Sequence, residues 1–176
     1  MKIGRVVALF LMPRALITAL YLVRSKCFVS PRAEVDFGDT IRIGKGSRVS
    51  GFTQVKASDT GRITIGNDTS IAVGCCIAAG AVGITIGDDC LISPGVVILS
   101  GNYKYDRLDM PIRKQGYTSK GVTIGNNVWL GSNVVVLDGS VIEDGVIVTP
   151  NSVVSSHLKR NTVCEGSPAK VIFRRR

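Results

Sequence analysis

Histidine occurs once in this 176-residue chain, as His157, and aromatic residues make up only 6% of it. A metal centre drawing three imidazoles from different positions is therefore excluded, and no metal is expected. A core built on aromatic packing is excluded too. No basic run is interleaved with aromatics for stacking bases, which argues against a nucleic-acid partner. The five cysteines, Cys27, Cys75, Cys76, Cys90 and Cys164, are odd in number and lack CxxC spacing, so no disulfide framework is indicated. They read as small buried residues of a reducing compartment, with Cys75 and Cys76 pointing to opposite sides of a strand.

Acidic residues are also scarce, 13 against 22 lysines and arginines, for a formal charge of +9. That balance predicts anionic partners such as phosphates, a nucleotide cofactor or a lipid surface. What is abundant is aliphatic: hydrophobic residues reach 45%, punctuated by 20 glycines and 6 prolines, a composition of short strands joined by frequent turns. The length suits one domain, read as residues 31–176, behind an apolar segment over residues 1–30.

Within that segment, Val6 to Val23 is apolar apart from Arg14 and Thr18 and is flanked by Lys2, Arg5, Arg24 and Lys26. As a helix it would reach about 27 Å, close to a bilayer core. Pro13 and Arg14 interrupt it where a spanning helix tolerates them least, and no small-residue cleavage site follows. Three readings stand: a helix that caps the domain or enters a subunit interface, peripheral attachment to an anionic cytoplasmic membrane face, and true spanning or secretion. The basic ends, with Arg174-Arg175-Arg176 at the other terminus, suit the second.

An aliphatic residue returns every sixth position through most of the remaining chain. Ile124, Leu130, Val136, Ile142, Val148 and Val154 form an unbroken series, preceded by Ile86, Ile92 and Ile98, by Ile65, Ile71 and Ile77, and by Ile43, Val49 and Val55. A period of six fits neither an amphipathic helix nor a long strand, but it fits short strands joined by corners, with three hexads to a triangular coil. These positions predict an all-β helix of about five coils, each inward aliphatic stacking on its equivalents at about 4.8 Å spacing. A solenoid exposes its ends and flat faces, so caps and oligomerisation are expected.

The hexads ITIGND, VTIGNN and VWLGSN and the ending EGSPAKVI resemble the hexapeptide-repeat acyltransferases over roughly residues 35–173. The resemblance implies a left-handed parallel β-helix, a homotrimer, and acetyl-CoA or another acyl-CoA bound in the groove between subunits.

Between Ile98 and Ile124 the period breaks into a polar and aromatic stretch, SGNYKYDRLDMPIRKQGYTSKG, which cannot be coil core. A loop leaving a rigid prism, spanning about residues 100–121, is a natural carrier of function. ISPGVVIL before it, MPIRKQG within it and TSKGVTIGNNVWLG after it resemble the active-site excursion of enzymes that O-acetylate sugars in polysaccharide or lipopolysaccharide synthesis, and more distantly of galactoside and maltose acetyltransferases. In such enzymes a base deprotonates the sugar hydroxyl as it attacks the thioester. The family's histidine is matched here by Tyr103, next to Asn102, and Gly101 stands where relatives often carry a second.

A phenol is a poor base at neutral pH. Asp106 or Asp109 would serve if desolvated, Tyr103 would otherwise orient an acceptor that reacts as an amine, or catalysis has been lost while binding persists. His157, in the last coil about 10 Å along the axis from Ile98, reads as a surface imidazole. The resemblance further implies that Trp129, Gly131, Thr149, Ser155 and Ser156 line the acyl-CoA path, that Lys170 and Arg174 meet its phosphates, and that Arg113 and Lys120 hold acceptor or cofactor. The expected function is acylation of a sugar, nucleotide-sugar or lipid-linked sugar hydroxyl, in the cytoplasm or peripherally on the inner membrane face. A silent trimeric binding or scaffolding relative is the other reading.

Overall fold

The structure, a computed structural model, describes residues 14–36 and 38–176. The apolar stretch from Val6 to Pro13 lies outside them.

Three parallel sheets wind into a β-helix. Face one stacks Phe28–Val29, Arg48–Val49, Ser70–Ile71, Leu91–Ile92, Trp129–Leu130, Ile147–Val148 and Thr162–Gly166; face two runs from Glu34–Val35 to Val153–Val154, and face three from Ile41–Ile43 to His157–Leu158. All fifteen hexad aliphatics point inward, none more than 5% exposed. Period six becomes fold because each hexad supplies two or three extended residues and then a corner. The inward residue meets its equivalents above and below, as Ile98 meets Ile77 and Val136.

About six coils form rather than five. The additional first coil is carried by Val29, Val35 and Ile41, themselves six apart but two residues out of phase with Ile43. The strand Ile41–Ile43 absorbs the slip by burying both its isoleucines.

Corner residues explain the hexad consensus. Asn67, Asp88, Asn126 and Asp144 form a ladder along one edge, each side-chain Oδ1 accepting the N–H of the ladder residue in the coil before: Asn67 N–H to Asp88 (2.6 Å), Asp88 N–H to Asn126 (2.8 Å) and Asn126 N–H to Asp144 (2.7 Å). The preceding glycines permit the approach, since a Cβ on Gly87 would lie 2.7 Å from the Gly125 carbonyl. At the next corner position inward, Ser47, Thr53, Thr69, Cys75 and Cys90 each donate to a carbonyl of the following coil, which leaves these small polar groups satisfied. Cys75 is buried there while Cys76 faces outward, half-buried, and all five cysteines are free thiols.

Departures from strict period concentrate at one edge. The longer steps from Val55 to Ile65, Ile77 to Ile86 and Ile98 to Ile124 all fall between faces two and three. The large loop therefore leaves from an edge that is already irregular.

Helix α1 (Arg14–Ser25) lies across the first coil. Tyr21 and Ile17 pack into the core, and Thr18 Oγ1 donates to the Val29 carbonyl at 2.7 Å. At the opposite end, Thr162–Gly166 turns back antiparallel into Ala169–Arg174. Helix α1 and the exposed Arg174, Arg175 and Arg176 thus lie at opposite ends of the stack, about 29 Å apart at the strand spacing.

Candidate functional site

The loop is tied at both stems. Ser100 is fully buried, and its Oγ accepts the Gly80 N–H at 3.0 Å. Ser119 Oγ donates to the Ser100 carbonyl at 2.6 Å and accepts the Val82 N–H at 3.1 Å. On the outgoing stem, Asp138 Oδ1 accepts the N–H groups of Lys120 (2.8 Å) and Gly121 (2.9 Å). Beyond the stems, Asn102–Tyr103 pairs antiparallel with Tyr117–Thr118 in a short hairpin. Gln115 braces the tip, accepting the Arg107 N–H at 2.9 Å and donating to the Met110 carbonyl at 3.0 Å.

An open depression of about 350 Å³ lies against the hairpin. It is lined by four of the residues singled out from sequence, Asn102, Tyr103, Asp106 and Lys120, together with Lys104, Tyr105, Thr118 and Asp138. That volume falls at the lower end of the range of small-molecule sites. Tyr103 and Tyr117 meet edge to face, ring centroids 5.3 Å apart. Gly101 makes this pair possible, because a Cβ there would sit 2.4–2.6 Å from the Tyr117 ring and hydroxyl.

The two candidate carboxylates are not equivalent. Asp109 pairs with Arg107, and that hydrogen-bonded partner holds its carboxyl below the usual range, making it a weaker base. Asp109 also lies outside the lining of the depression, whereas Asp106 is exposed within it.

Arg113 sits in the short 3-10 turn Ile112–Lys114, exposed and outside the depression's lining. Trp129 is on face one, 46% exposed, its Nε1 donating to Ser93 Oγ at 3.1 Å. In a triangular coil that face is opposite the edge from which the loop leaves, so within one chain Trp129 does not stand beside the loop as its nearness in sequence suggests. Gly131 and Thr149 follow face-one strands at the corner toward face two, and a Cβ on Gly131 would lie 2.6 Å from the Pro150 nitrogen. Its identity is set by the next coil. Ser155 and Ser156 are exposed on the loop's own edge, and Lys170 and Arg174 are exposed on the terminal strand.

His157 is surface-exposed, as its reading from sequence had it, and its Nε2 lies 2.8 Å from Glu143 Oε1. Glu143 also accepts the Arg160 N–H and the Lys159 ammonium, and these donors, the backbone one foremost, lower its carboxyl to about 2. The imidazole belongs to that corner cluster.

Asp138 is the site residue that motif reading missed. It lies 18 residues beyond Lys120, which is one coil of three hexads, so coil arithmetic alone would have placed it under the loop stem.

Residues 121–156 match the family described as bacterial transferase hexapeptide (six repeats). Over 158 residues the chain is 32% identical to WbbJ of Escherichia coli (strain K12), named as a lipopolysaccharide biosynthesis O-acetyl transferase, covering 86% of this chain and 77% of that one. It is 40% identical over 91 residues to the galactoside O-acetyltransferase of the same strain, covering 51% of this chain and 43% of the relative. Among solved structures, the N-acyltransferase AntD of Bacillus cereus, in complex with dTDP and 3-hydroxybutyryl-CoA, superposes with a TM-score of 0.77 at 22% identity, over 96% of this chain and 90% of that one. This last likeness concerns the fold.

Proposed function

We propose, from the premise that this chain belongs to the hexapeptide-repeat bacterial transferases, that it moves an acetyl or other acyl group from acyl-CoA to a sugar hydroxyl in the synthesis of a surface polysaccharide or lipopolysaccharide. The premise rests on the relationship to WbbJ along three quarters of that protein. One observation carries the reading to this chain: its single large departure from the repeat is a loop, tied at both stems, that presents an open carboxylate, phenols and lysines around a depression of about 350 Å³.

In the reaction the acceptor oxygen attacks the thioester carbonyl. A C–O bond forms, the C–S bond breaks, and coenzyme A leaves as the thiol. Asp106 takes the hydroxyl proton from its place in the lining of the depression that the acceptor fills. Tyr103 and Asn102 orient the acceptor and offer hydrogen bonds to the developing oxyanion. Lys120 and Lys104 add positive charge on the same side.

Acyl-CoA would run along a groove that one chain does not complete, because Trp129, Gly131 and Thr149 lie away from the loop edge while Ser155 and Ser156 lie on it. A homotrimer, in which the edge of one subunit meets a face of the next, brings the two sets together. Face two supports that assembly: its outward residues Cys76, Val97, Val135 and Val153 form a half-buried apolar row. Lys170 and Arg174 would meet the phosphates. The use of acyl-CoA, a cytoplasmic metabolite, supports a reaction on that side of the membrane.

The test is calorimetric titration with CoA and acetyl-CoA, followed by thiol release across nucleotide-sugar and lipid-linked sugar acceptors. Binding with turnover is expected. Binding of CoA without turnover on any sugar would favour a silent scaffold, and no CoA binding would sink both catalysis and cofactor assignment.

A substitution at Gly101 probes the acceptor wall separately. Gly101→Ala forces Tyr117 away from Tyr103, and an aromatic pair of this kind contributes about 0.5–1.5 kcal/mol. The KM for the sugar should rise about three- to tenfold while that for acetyl-CoA stays put. Steady-state kinetics with each substrate varied in turn would show it.

A further inference from the structure

Helix α1 carries apolar side chains on both sides. Its inward side, Ile17 and Tyr21, packs on the first coil and into the core. Its outward side carries Leu16, 47% exposed, the exposed Ala19, Leu22 at 54% and Val23 at 81%. Positions 16, 19, 22 and 23 fall on one stripe of a helix. A surface helix of a soluble domain normally turns charge outward, and here the only charges of its last turn and the next residue, Arg24 and Lys26, are positive and exposed.

The charge of the sequence is polarised toward its N-terminal part. Residues 1–48 hold nine basic against three acidic residues, a net +6 of the formal +9, while the remaining 128 hold thirteen against ten. Arg42, in the first strand of face three, and Arg48, in the second strand of face one, are both exposed within the first two coils. Among the described residues no helix is long and apolar enough to cross a membrane. An apolar ridge mounted on a rigid prism, where Arg24 and Arg42 outnumber the Asp39 with which they line one depression, has the chemistry of a surface that seats in the headgroup layer without spanning it.

We propose that the outward face of helix α1 docks the N-terminal end of the β-helix onto an anionic phospholipid bilayer, Leu16, Leu22 and Val23 entering the interface while Arg24, Lys26, Arg42 and Arg48 meet lipid phosphates. Apolar burial supplies attachment and charge supplies selectivity for anionic lipid. The proposal is independent of the acyl-transfer reading, since it uses none of the loop residues and can be measured without substrate.

The experiment is co-sedimentation of the full-length protein with vesicles of phosphatidylcholine containing phosphatidylglycerol, against phosphatidylcholine alone, at low and high salt. Binding is expected to the anionic vesicles and to weaken with salt. The double variant Leu22→Glu, Val23→Glu should lower the partition coefficient roughly tenfold or more, because two apolar contacts are replaced by charges that repel the surface. Arg24→Glu should lower it less and mainly at low salt. Both variants are at exposed positions, and unchanged thermal melting confirms that they fold.

Wild-type protein that ignores anionic vesicles would overturn the proposal, as would binding that neither variant alters. If instead the double variant lowers the oligomeric mass in light scattering and wild-type protein does not sediment with vesicles, the face is a contact between copies of this chain and the lipid assignment is wrong.

Discussion

Asp106→Asn should lower kcat about a hundredfold, the lower end of what general-base removal costs, while leaving the KM for acetyl-CoA within about twofold. The expectation follows from placement. Asp106 lies in the depression, whereas Asp109 is taken by Arg107 and held as a weak base. Asparagine keeps the size of the side chain and one acceptor oxygen but cannot take a proton, so binding survives and chemistry does not. Asp109→Asn is the internal control and should change kcat by less than about threefold, because it loses an exposed ion pair of small worth. Tyr103→Phe should cost about tenfold, the loss of one orienting hydrogen bond. A thiol-release assay on the three variants separates the roles. Should Tyr103→Phe abolish turnover and Asp106→Asn spare it, the phenol is the base and the assignment made here fails.

The scaffold was legible because its physics is periodic. Burial on the inner side of a coil demands an aliphatic at every hexad, and all fifteen such positions read from sequence are inward. The Gly-Asn-Asp, Gly-Asp-Asp and Gly-Asn-Asn triplets likewise announce the corner ladder, where the glycine admits the neighbouring backbone and the next side chain caps it. Where the period slips, reading fails for an equally physical reason. The strand Ile41–Ile43 buries two isoleucines in one pass, so the phase jumps by two and the first coil disappears from a strict count.

The site was only half legible. The loop declared itself by breaking the period, and Asn102, Tyr103, Asp106 and Lys120 do converge. Asp138 lies in a neighbouring coil and is joined to the loop through backbone amides, a relation that no local motif records. Trp129 follows the loop closely in sequence yet stands on the opposite face, because five residues along a coil are enough to turn a corner. Nor could local pattern tell that Gly101 and Tyr117, sixteen residues apart, fit one another as cavity and ring.

Ile98→Ala should destabilise the protein by about 3 kcal/mol, within the range for removing a buried aliphatic side chain from a packed core. Ile98 is 0% exposed and stacks between Ile77 and Val136, and coils above and below are fixed by their own hydrogen bonds, so neither can collapse into the void. Leu91 is the contrast, an equally large side chain on an adjacent strand of the same coil but 55% exposed, and Leu91→Ala should cost less than about 1 kcal/mol. Denaturant unfolding at one fixed protein concentration measures both, which keeps any subunit association common to the pair. Equal losses would mean that face one is buried in the assembled protein to the depth of the core. The cavity at Ile98 has a second consequence, because Ser100 is two residues on and its buried hydroxyl anchors the incoming stem of the loop. Loosening the inward stack beneath that stem lets the hairpin shift against the depression, and a misplacement of about 1 Å in positioning groups can cost a hundredfold in rate. Ile98→Ala should therefore lose turnover under conditions where it is still fully folded, and Leu91→Ala should not.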